Sequence, residues 1–123
     1  MVRISEAESR IMEALWRRGP LVVEDVIAEV AGPQQWSDAT VKSLIGRMLK
    51  KKAIQSTRQQ GRTWYRPLVE REDYRLSESR NLLDRIFGGR VAPFVSCFAE
   101  HDKLSPEDVA QLKALIARLD RGD

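Results

Sequence analysis

The residues best suited to do chemistry are the basic ones between Ala39 and Val69. This stretch of 31 residues contains eight Lys and Arg and no Asp or Glu, whereas acids and bases alternate freely elsewhere in the chain. Clustered cations of this kind attract a polyanion, because they displace the counterions that condense on nucleic acid. A solvated charged face is the alternative interpretation. The eight bases are Lys42, Arg47, Lys50, Lys51, Lys52, Arg58, Arg62 and Arg66.

Small polar residues accompany these bases. Ser37 is a suitable N-cap for a helix, and Thr40 and Ser43 follow it near the helix N-terminus, where a recognition helix contacts base edges. The sequence has no GXXG clamp and no pattern of an aromatic stacking sheet, the features by which many domains bind RNA. The pattern therefore favours double-stranded DNA as the partner.

Different members of the run are expected to make different contacts. Lys42 and Arg47 are candidates for base edges or phosphates, and an Arg at a guanine edge contributes about 1–3 kcal/mol of discrimination. Lys50 and Lys51, nearer the C-terminus of the same helix, are expected to contact phosphates. Arg58 and Arg62, on the segment that follows this helix, are expected to contact phosphates or a minor groove. Trp36, favoured as a core residue with its N–H exposed, and Tyr65 could each be a core residue or donate a hydrogen bond to a phosphate.

Few residues outside this run could support catalysis or metal binding. Cys97 and His101 are four residues apart and would share a helix face, but the chain has no other Cys or His to complete a tetrahedral site. Two interpretations of these residues stay open. The simpler one is that Cys97 packs as a small apolar residue, and the other is a metal site that bridges two protomers. No phosphate-binding glycine loop and no activated nucleophile is recognisable. We predict a protein without metal or cofactor that is not an enzyme.

The composition indicates two functions in one chain. Residues 1–67 carry 12 Lys and Arg against 7 Asp and Glu, whereas residues 68–123 carry 9 against 11. A single cysteine excludes an internal disulfide and fits a reducing compartment. No apolar run approaches the roughly 18 residues of a membrane span. We expect a cytoplasmic protein without membrane insertion.

Residues 1–68 have the element order of a winged helix-turn-helix, which predicts a mainly α fold with a small β-hairpin wing. The third helix carries the first half of the basic run, and the hairpin carries the second. The predicted elements are a helix from the capping box Ser5–Glu8 to Gly19-Pro20, a helix over Val23–Val30 ended by Ala31-Gly32-Pro33, a helix from Ser37, and strands over Ile54–Arg58 and Thr63–Leu68 around the turn Gln59-Gln60-Gly61-Arg62.

Residues 69–123 return to helical periodicity. Three short helices are predicted, and they carry more apolar side chains than so small a region can bury by itself. We expect them to pack against a second copy of the chain, as a helical dimerisation and regulatory region. The residues predicted to form the dimer contact are Phe94, Val95, Phe98, Val109, Leu112, Leu115, Ile116 and Leu119.

Four groups of residues together form a recognisable pattern over nearly the whole chain. They are Ile4-Ser5-Glu6-Ala7-Glu8 with Ile11-Met12 and Leu15-Trp16; Trp36-Ser37 with Thr40-Val41, Leu44-Ile45, Arg47 and Lys50-Lys51; Gly61-Arg62 with Tyr65 and Pro67-Leu68-Val69; and Phe94-Val95, Phe98, Glu100, Leu104-Ser105, Glu107 and Leu112. In combination they resemble the penicillinase-repressor family (BlaI/MecI type, with the related copper-responsive CopY repressors).

The resemblance implies a dimeric repressor that binds a pseudo-palindromic operator through its winged helices. It also implies induction by a membrane sensor metalloprotease that responds to β-lactams and cleaves the Cys97–Phe98 bond. The chain departs from the family pattern at three places: Cys97 stands where Asn is usual, Lys52-Ala53 replaces the usual Gly, and the wing from Gly61 to Pro67 is one residue shorter. The paired Cys-x-Cys motifs of the copper branch are absent, which excludes copper sensing by that device.

A sequence-specific dimeric repressor is the first hypothesis, and two others stay open. Winged helices also serve as protein-interaction modules that never contact DNA, and a non-specific architectural DNA binder would carry a similar basic surface. The acid-free run favours DNA over the interaction module. The apolar C-terminal pattern favours the repressor over the architectural protein, because a shape-only binder gains little from a fixed dimer.

Overall fold

The computed structural model describes residues 2–122, which form two compact units that divide between Ser77 and Glu78. The first unit combines helices with a small antiparallel sheet, and the second is helical. This confirms the predicted fold class, mainly α with a β-hairpin wing. The elements are α1 (Glu6–Arg18), β1 (Leu21–Val22), α2 (Val23–Gln34), α3 (Asp38–Lys50), β2 (Ile54–Gln59), β3 (Arg62–Pro67), α4 (Arg71–Phe87), α5 (Val91–Glu100) and α6 (Pro106–Arg121).

Helix α1 has strong local signals at both ends. The Ser5 hydroxyl accepts a hydrogen bond from the Glu8 N–H at 3.1 Å, and the Glu8 carboxylate accepts one from the Ser5 N–H at 2.9 Å. The predicted capping box is therefore present. Gly19, with a φ of +86°, ends the helix where the sequence predicts.

Helix α2 is longer than the sequence predicts. We expected it to end at Ala31-Gly32-Pro33, but it continues to Gln34. Pro33 lies in the last turn of the helix, where it removes a single intrahelical hydrogen bond. The cost is small there, because the helix ends after this turn. The helix ends at Gln35, which adopts a left-handed conformation with a φ of +56° and donates its N–H to carbonyls of the last turn.

The sheet has one strand more than predicted. The two predicted strands, β2 and β3, pair antiparallel along their whole lengths and form the wing, residues 54–67. The additional strand β1 pairs with the other edge of β3, Leu21 opposite Tyr65 and Val22 opposite Trp64, so the strand order is β1-β3-β2. A strand of two residues is too short to show the alternation by which strands are recognised.

The wing turns through two residues with positive φ, Gln60 at +53° and Gly61 at +74°. This is the geometry of a type I′ turn, whose twist matches that of the flanking strands. The prediction that Gly61 has a positive φ is confirmed, and Gln60 shares the left-handed conformation.

The hydrophobic core lies in the first unit, where α1, α2 and α3 pack around the start of the sheet. The apolar stripes of the three helices supply most of it, and β1 and β2 add their buried residues. Its largest fully buried apolar side chains are Ile11, Met12, Leu15, Met48, Ile54, Val22, Val26 and Val41.

The second unit has a different character, because no side chain of residues 78–122 is fully buried. Helix α4 contacts α5 through an aromatic edge, since the centres of the Phe87 and Phe94 rings are 5.5 Å apart. Within α5, the Phe94 ring also lies 5.1 Å from that of Phe98, between ring centroids. Helix α6 begins as predicted, since the Ser105 hydroxyl accepts a hydrogen bond from the Asp108 N–H at 3.0 Å. Local signals thus form these helices without an enclosed core.

Helix α3 ends in a Schellman motif that has Lys52 at the position usually taken by Gly. The φ of Lys52 is +63°. The Ala53 N–H donates to the Met48 carbonyl at 2.9 Å and the Lys52 N–H to the Leu49 carbonyl at 3.1 Å. Ala53 and Met48 are both fully buried, which supplies the apolar contact of the motif. A left-handed cap is therefore present without a glycine.

Lys52→Gly is expected to raise the free energy of unfolding by about 0.5–1 kcal/mol, because a residue without Cβ adopts the left-handed conformation without strain. Urea denaturation followed by circular dichroism measures the change. Lys52→Ala is the matched control, since it removes the same charge but keeps the Cβ, and it should bring no gain. An equal gain in both variants would show that charge, and not backbone conformation, limits stability here.

Candidate nucleic-acid interface

Helix α3 separates a buried apolar face from an exposed polar one. Val41, Leu44, Ile45 and Met48 recur at helical spacing and are buried, as predicted. The opposite side, called here the outer face of α3, is open to solvent. It carries Thr40, Lys42, Ser43, Gly46, Arg47 and Lys50.

The N-terminus of α3 is capped by the side-chain hydroxyl of Ser37, next to that of Thr40. The Ser37 hydroxyl accepts a hydrogen bond from the Thr40 N–H at 3.2 Å and lies 3.0 Å from the Thr40 hydroxyl. The predicted N-cap is therefore present. Trp36 and Tyr65, which the sequence left ambiguous, are both half-buried and pack against the core of the first unit.

The predicted bases of the wing are exposed and lie on both sides of its turn. Arg58 donates to the Thr63 hydroxyl at 3.3 Å. Arg62 lies 3.8 Å from a carboxylate oxygen of Glu24 in α2, and its guanidinium carbon is 5.9 Å from the centre of the Trp64 ring. Both arginines are thus held loosely at the surface.

A buried carboxylate, that of Glu8 in α1, contacts the bases at the C-terminal end of α3. The Glu8 side chain is fully buried. Its Oε1 lies 2.8 Å from the Lys51 Nζ, and its Oε2 lies 3.5 Å from an Nη of Arg47. Lys51 also donates to the Arg3 carbonyl at 2.9 Å. The sequence indicated Glu8 only as a local capping residue, because no pattern links it to a lysine 43 positions later.

The ion pair with Glu8 gives Lys51 a partner that the sequence did not predict. We expected Lys51 to contact phosphate, but its ammonium is engaged by a carboxylate that cannot stay unpaired in the interior. The Arg47 side chain, by contrast, is 58% exposed although it lies beside Glu8. Lys42 and Lys50 form no salt bridge with any residue in the described part of the chain, so their charges are free to meet a partner.

Two opposing effects set the pKa of Glu8. Burial by itself raises this pKa, but hydrogen bonds from Lys51 and Ser5 and the charge of Lys51 outweigh it, so the pKa lies below its ordinary value. Glu8 is therefore ionised at neutral pH, and it neutralises one positive charge at the end of α3.

Glu8→Gln is expected to lower the free energy of unfolding at neutral pH by about 1–3 kcal/mol, because it removes a charge-assisted hydrogen bond to Lys51. Gln also completes a capping box, so α1 keeps its cap. Since the folded-state pKa is depressed, the contribution of Glu8 is complete above the unfolded-state pKa, about 4.3. It is lost as the pH falls through the lower folded-state pKa.

Urea unfolding of both proteins over a range of pH measures this effect. The difference in unfolding free energy should be constant from neutral pH down to about pH 5 and should shrink below about pH 4. A difference that stays the same down to about pH 2 would show that packing, and not the charge of Glu8, accounts for it.

The residues predicted to form the dimer contact lie on α5 and α6. Five of the side chains of these helices and their connection, Phe94, Val95, Leu104, Leu112 and Leu115, line an open groove of about 590 Å³. Phe98, Val109, Leu115, Ile116 and Leu119 are large apolar side chains that are exposed to solvent in the single chain.

Cys97 and His101 meet through the backbone and not through the thiol. Cys97 is exposed, and the His101 Nδ1 lies 2.8 Å from the Cys97 carbonyl oxygen. No group of three or more His, Cys, Asp or Glu that could hold a metal ion occurs among residues 2–122. In the same range, no helix is long and apolar enough to cross a membrane. The Cys97–Phe98 bond lies inside α5.

Comparison with known proteins relates both units to one family. The penicillinase repressor family model matches residues 4–118. The penicillinase repressor of Bacillus licheniformis is 30% identical over 115 residues, which cover 93% of this chain and 89% of that protein. The methicillin resistance regulatory protein MecI of Staphylococcus aureus is 27% identical over 113 residues, 92% of each chain.

A solved structure resembles more than half of this chain. It is the solution structure of Bacillus licheniformis BlaI, in monomeric form, in complex with the blaP half-operator, with 28% identity and a TM-score of 0.54. The similarity covers 58% of this chain and 88% of that one. From these matches we conclude that the chain belongs to the penicillinase repressor family, a family of DNA-binding transcriptional repressors that are not enzymes.

Proposed function

We propose that this chain is a homodimeric, sequence-specific repressor that binds a palindromic operator. In this proposal residues 1–68 bind DNA and residues 69–123 hold two protomers together. The observation that carries it is the absence of acids from Ala39 to Val69. Three of the eight bases in this stretch lie on the outer face of α3 and three on the wing, and Lys51 and Lys52 lie between them. The similarity to BlaI, which was solved on a half-operator, supports DNA as the partner.

The outer face of α3 enters the major groove in this proposal. Thr40 and Ser43, near the N-terminus of α3, and Lys42 and Arg47 beside them contact base edges, because recognition helices read bases from their N-terminal side. Lys50, Lys51, Arg58 and Arg62 contribute positive charge near the phosphates, and Lys51 does so while paired with Glu8. Ser37, Trp36 and Tyr65 support the edges of the interface.

Two copies of the second unit cover each other's apolar side chains. Phe98, Ile116 and Leu119 are 40%, 55% and 65% exposed, and residues 78–122 have no enclosed core. Removal of apolar surface from water contributes about 25 cal/mol for each Å², from which the entropic cost of association must be subtracted. A two-fold dimer places two α3 helices at the spacing of two half-sites, about one turn of DNA or a multiple of it.

Proteolysis in the second unit would relieve repression. The Cys97–Phe98 bond lies in α5, between Phe94 and Val95 on one side and α6 on the other, so cleavage would separate two parts of the dimer contact. A helical bond must unfold locally before a protease can bind it. We propose a membrane sensor metalloprotease as the agent, a cytoplasmic location for the repressor, and β-lactam-resistance genes as its targets, in keeping with the penicillinase and methicillin-resistance relatives.

Selection of bound duplexes from a randomised DNA pool, at near-physiological salt, tests the proposal. We expect enrichment of a two-fold-symmetric motif whose half-sites are about one helical turn apart. Binding without enrichment would instead indicate a non-specific architectural protein. A chain that binds no duplex even at low salt would be a protein-interaction module.

A further inference from the structure

We propose that Glu8 is a positioning residue of the DNA-binding surface. Its buried carboxylate withholds the Lys51 ammonium from DNA, and it orients the Arg47 guanidinium toward the DNA. This inference rests on the proposed function, since it concerns how the same surface meets DNA. Glu8 itself contacts no DNA, because its side chain is fully buried.

One carboxylate serves two bases that are one helical turn apart. Oε1 of Glu8 lies 2.8 Å from the Lys51 Nζ, and Oε2 lies 3.5 Å from an Nη of Arg47. Residues four apart occupy the same side of a helix, so Glu8 lies beside both bases: it accepts a hydrogen bond from Lys51 and forms a longer ion pair, without a hydrogen bond, with Arg47. The carboxylate is itself fixed by the capping box with Ser5 at the start of α1.

Lys51 is the base that is withheld. Its ammonium donates to Glu8 and to the Arg3 carbonyl, and its side chain is 33% exposed. Movement of this ammonium to a phosphate would leave a buried carboxylate without its closest partner, which is strongly unfavourable. The neighbouring Lys50 is exposed and has no salt bridge within residues 2–122, so it provides the phosphate contact at this end of α3.

Arg47 is the base that is oriented. Oε2 of Glu8 has no hydrogen-bond partner within the described chain, so it keeps acceptor capacity for a guanidinium N–H. Arg carries five N–H donors in a rigid fork, and one directed at Glu8 leaves the others for a base edge. The Arg47 side chain is 58% exposed. The charge of Glu8, 3.5 Å away, restricts the positions that the Arg47 guanidinium adopts, and a restricted side chain loses less conformational entropy on binding than a free one.

The experiment compares DNA binding by the 123-residue chain and three variants of it. Fluorescence anisotropy titrations at several salt concentrations use the duplex enriched in the selection and a scrambled duplex of equal length. Glu8→Gln removes the buried charge, and Glu6→Gln is the matched control in the same turn of α1, because Glu6 is 88% exposed and pairs with Arg10 of its own helix. The double variant Glu8→Gln with Lys51→Met removes both partners of the ion pair.

For Glu8→Gln we expect a salt dependence steeper by about one unit of slope, since Lys51 becomes free to contact a phosphate. We also expect the ratio of specific to non-specific affinity to fall about tenfold, since Arg47 loses its orientation. Glu6→Gln should change neither quantity by as much. In the double variant the slope should return to the wild-type value while the ratio stays low. A residue that only stabilised the fold would leave both quantities unchanged.

The outcomes separate the inference from the function on which it rests. A wild-type protein without preference for the enriched duplex would overturn the proposed function and this inference with it. A specific wild-type protein together with equal behaviour of Glu8→Gln and Glu6→Gln would overturn the inference alone. Circular dichroism and thermal unfolding establish that each variant is folded. If Glu8→Gln does not fold, the double variant takes its place in the titrations, because it leaves no buried charge unpaired. A wild-type ratio of specific to non-specific affinity in the double variant would then overturn the inference.

Discussion

Replacement of Leu112 and Ile116 by Asp is expected to convert dimers into monomers and to lower operator affinity at least about a hundredfold, because a monomer loses the joint binding of two half-sites. The two residues are four apart on α6 and share a face, and Ile116 is 55% exposed. A carboxylate at each position would have to be buried without a partner in a dimer contact. Sedimentation velocity measures the association, and anisotropy measures the affinity.

The matched control for this variant is the replacement of Ala110 and Ala117 by Asp. These residues are exposed on the opposite side of α6 and acquire the same two charges. The control should remain dimeric and bind operator with nearly wild-type affinity. Dimers that persist in the Leu112 and Ile116 variant would remove α6 from the proposed contact, and monomers in both variants would point to helix stability as the cause.

Arg47→Ala is expected to lower affinity for the enriched duplex about tenfold more than affinity for a scrambled duplex, because a guanidinium at a base edge contributes about 1–3 kcal/mol of discrimination. The variant should fold, since Lys51 still pairs with the buried Glu8 at 2.8 Å. Anisotropy titrations with both duplexes give the two affinities.

Lys50→Ala serves as the comparison for Arg47→Ala. It removes an exposed base from the same helix, and as a phosphate contact it should weaken both duplexes by a similar factor and reduce the salt slope by about one. An equal loss on the two duplexes for Arg47→Ala would show that Arg47 also contacts phosphate and does not read a base.

The elements that sequence predicts well are those whose signals are local. The capping box of Ser5 and Glu8, the N-cap Ser37 and the positive φ of Gly61 are all present in the structure. Each depends on residues within a few positions of one another, so chain neighbours alone determine it. The helices of the second unit were predictable for the same reason, since Ser105 and the residues after it specify the start of α6 locally.

The features that the sequence did not reveal depend on position in the helix or on distant contacts. Ala31-Gly32-Pro33 predicts the end of α2, yet Pro33 costs little in the last turn of that helix. Strand β1 exists because Leu21 pairs with Tyr65, 44 positions later, and not because of any repeat in its own two residues. The pairing of Lys51 with Glu8 is likewise non-local. Assignments of bases to DNA contacts remain predictions, since they concern a partner and not the fold.

Sedimentation equilibrium of the 123-residue chain with its selected duplex distinguishes a dimeric from a monomeric repressor, because it gives the number of protomers in the complex. We expect two protomers on a duplex with both half-sites, bound at least about a hundredfold more tightly than one protomer on a duplex with one half-site scrambled. One protomer for each duplex, with equal affinity for the intact and half-scrambled sequences, would contradict it.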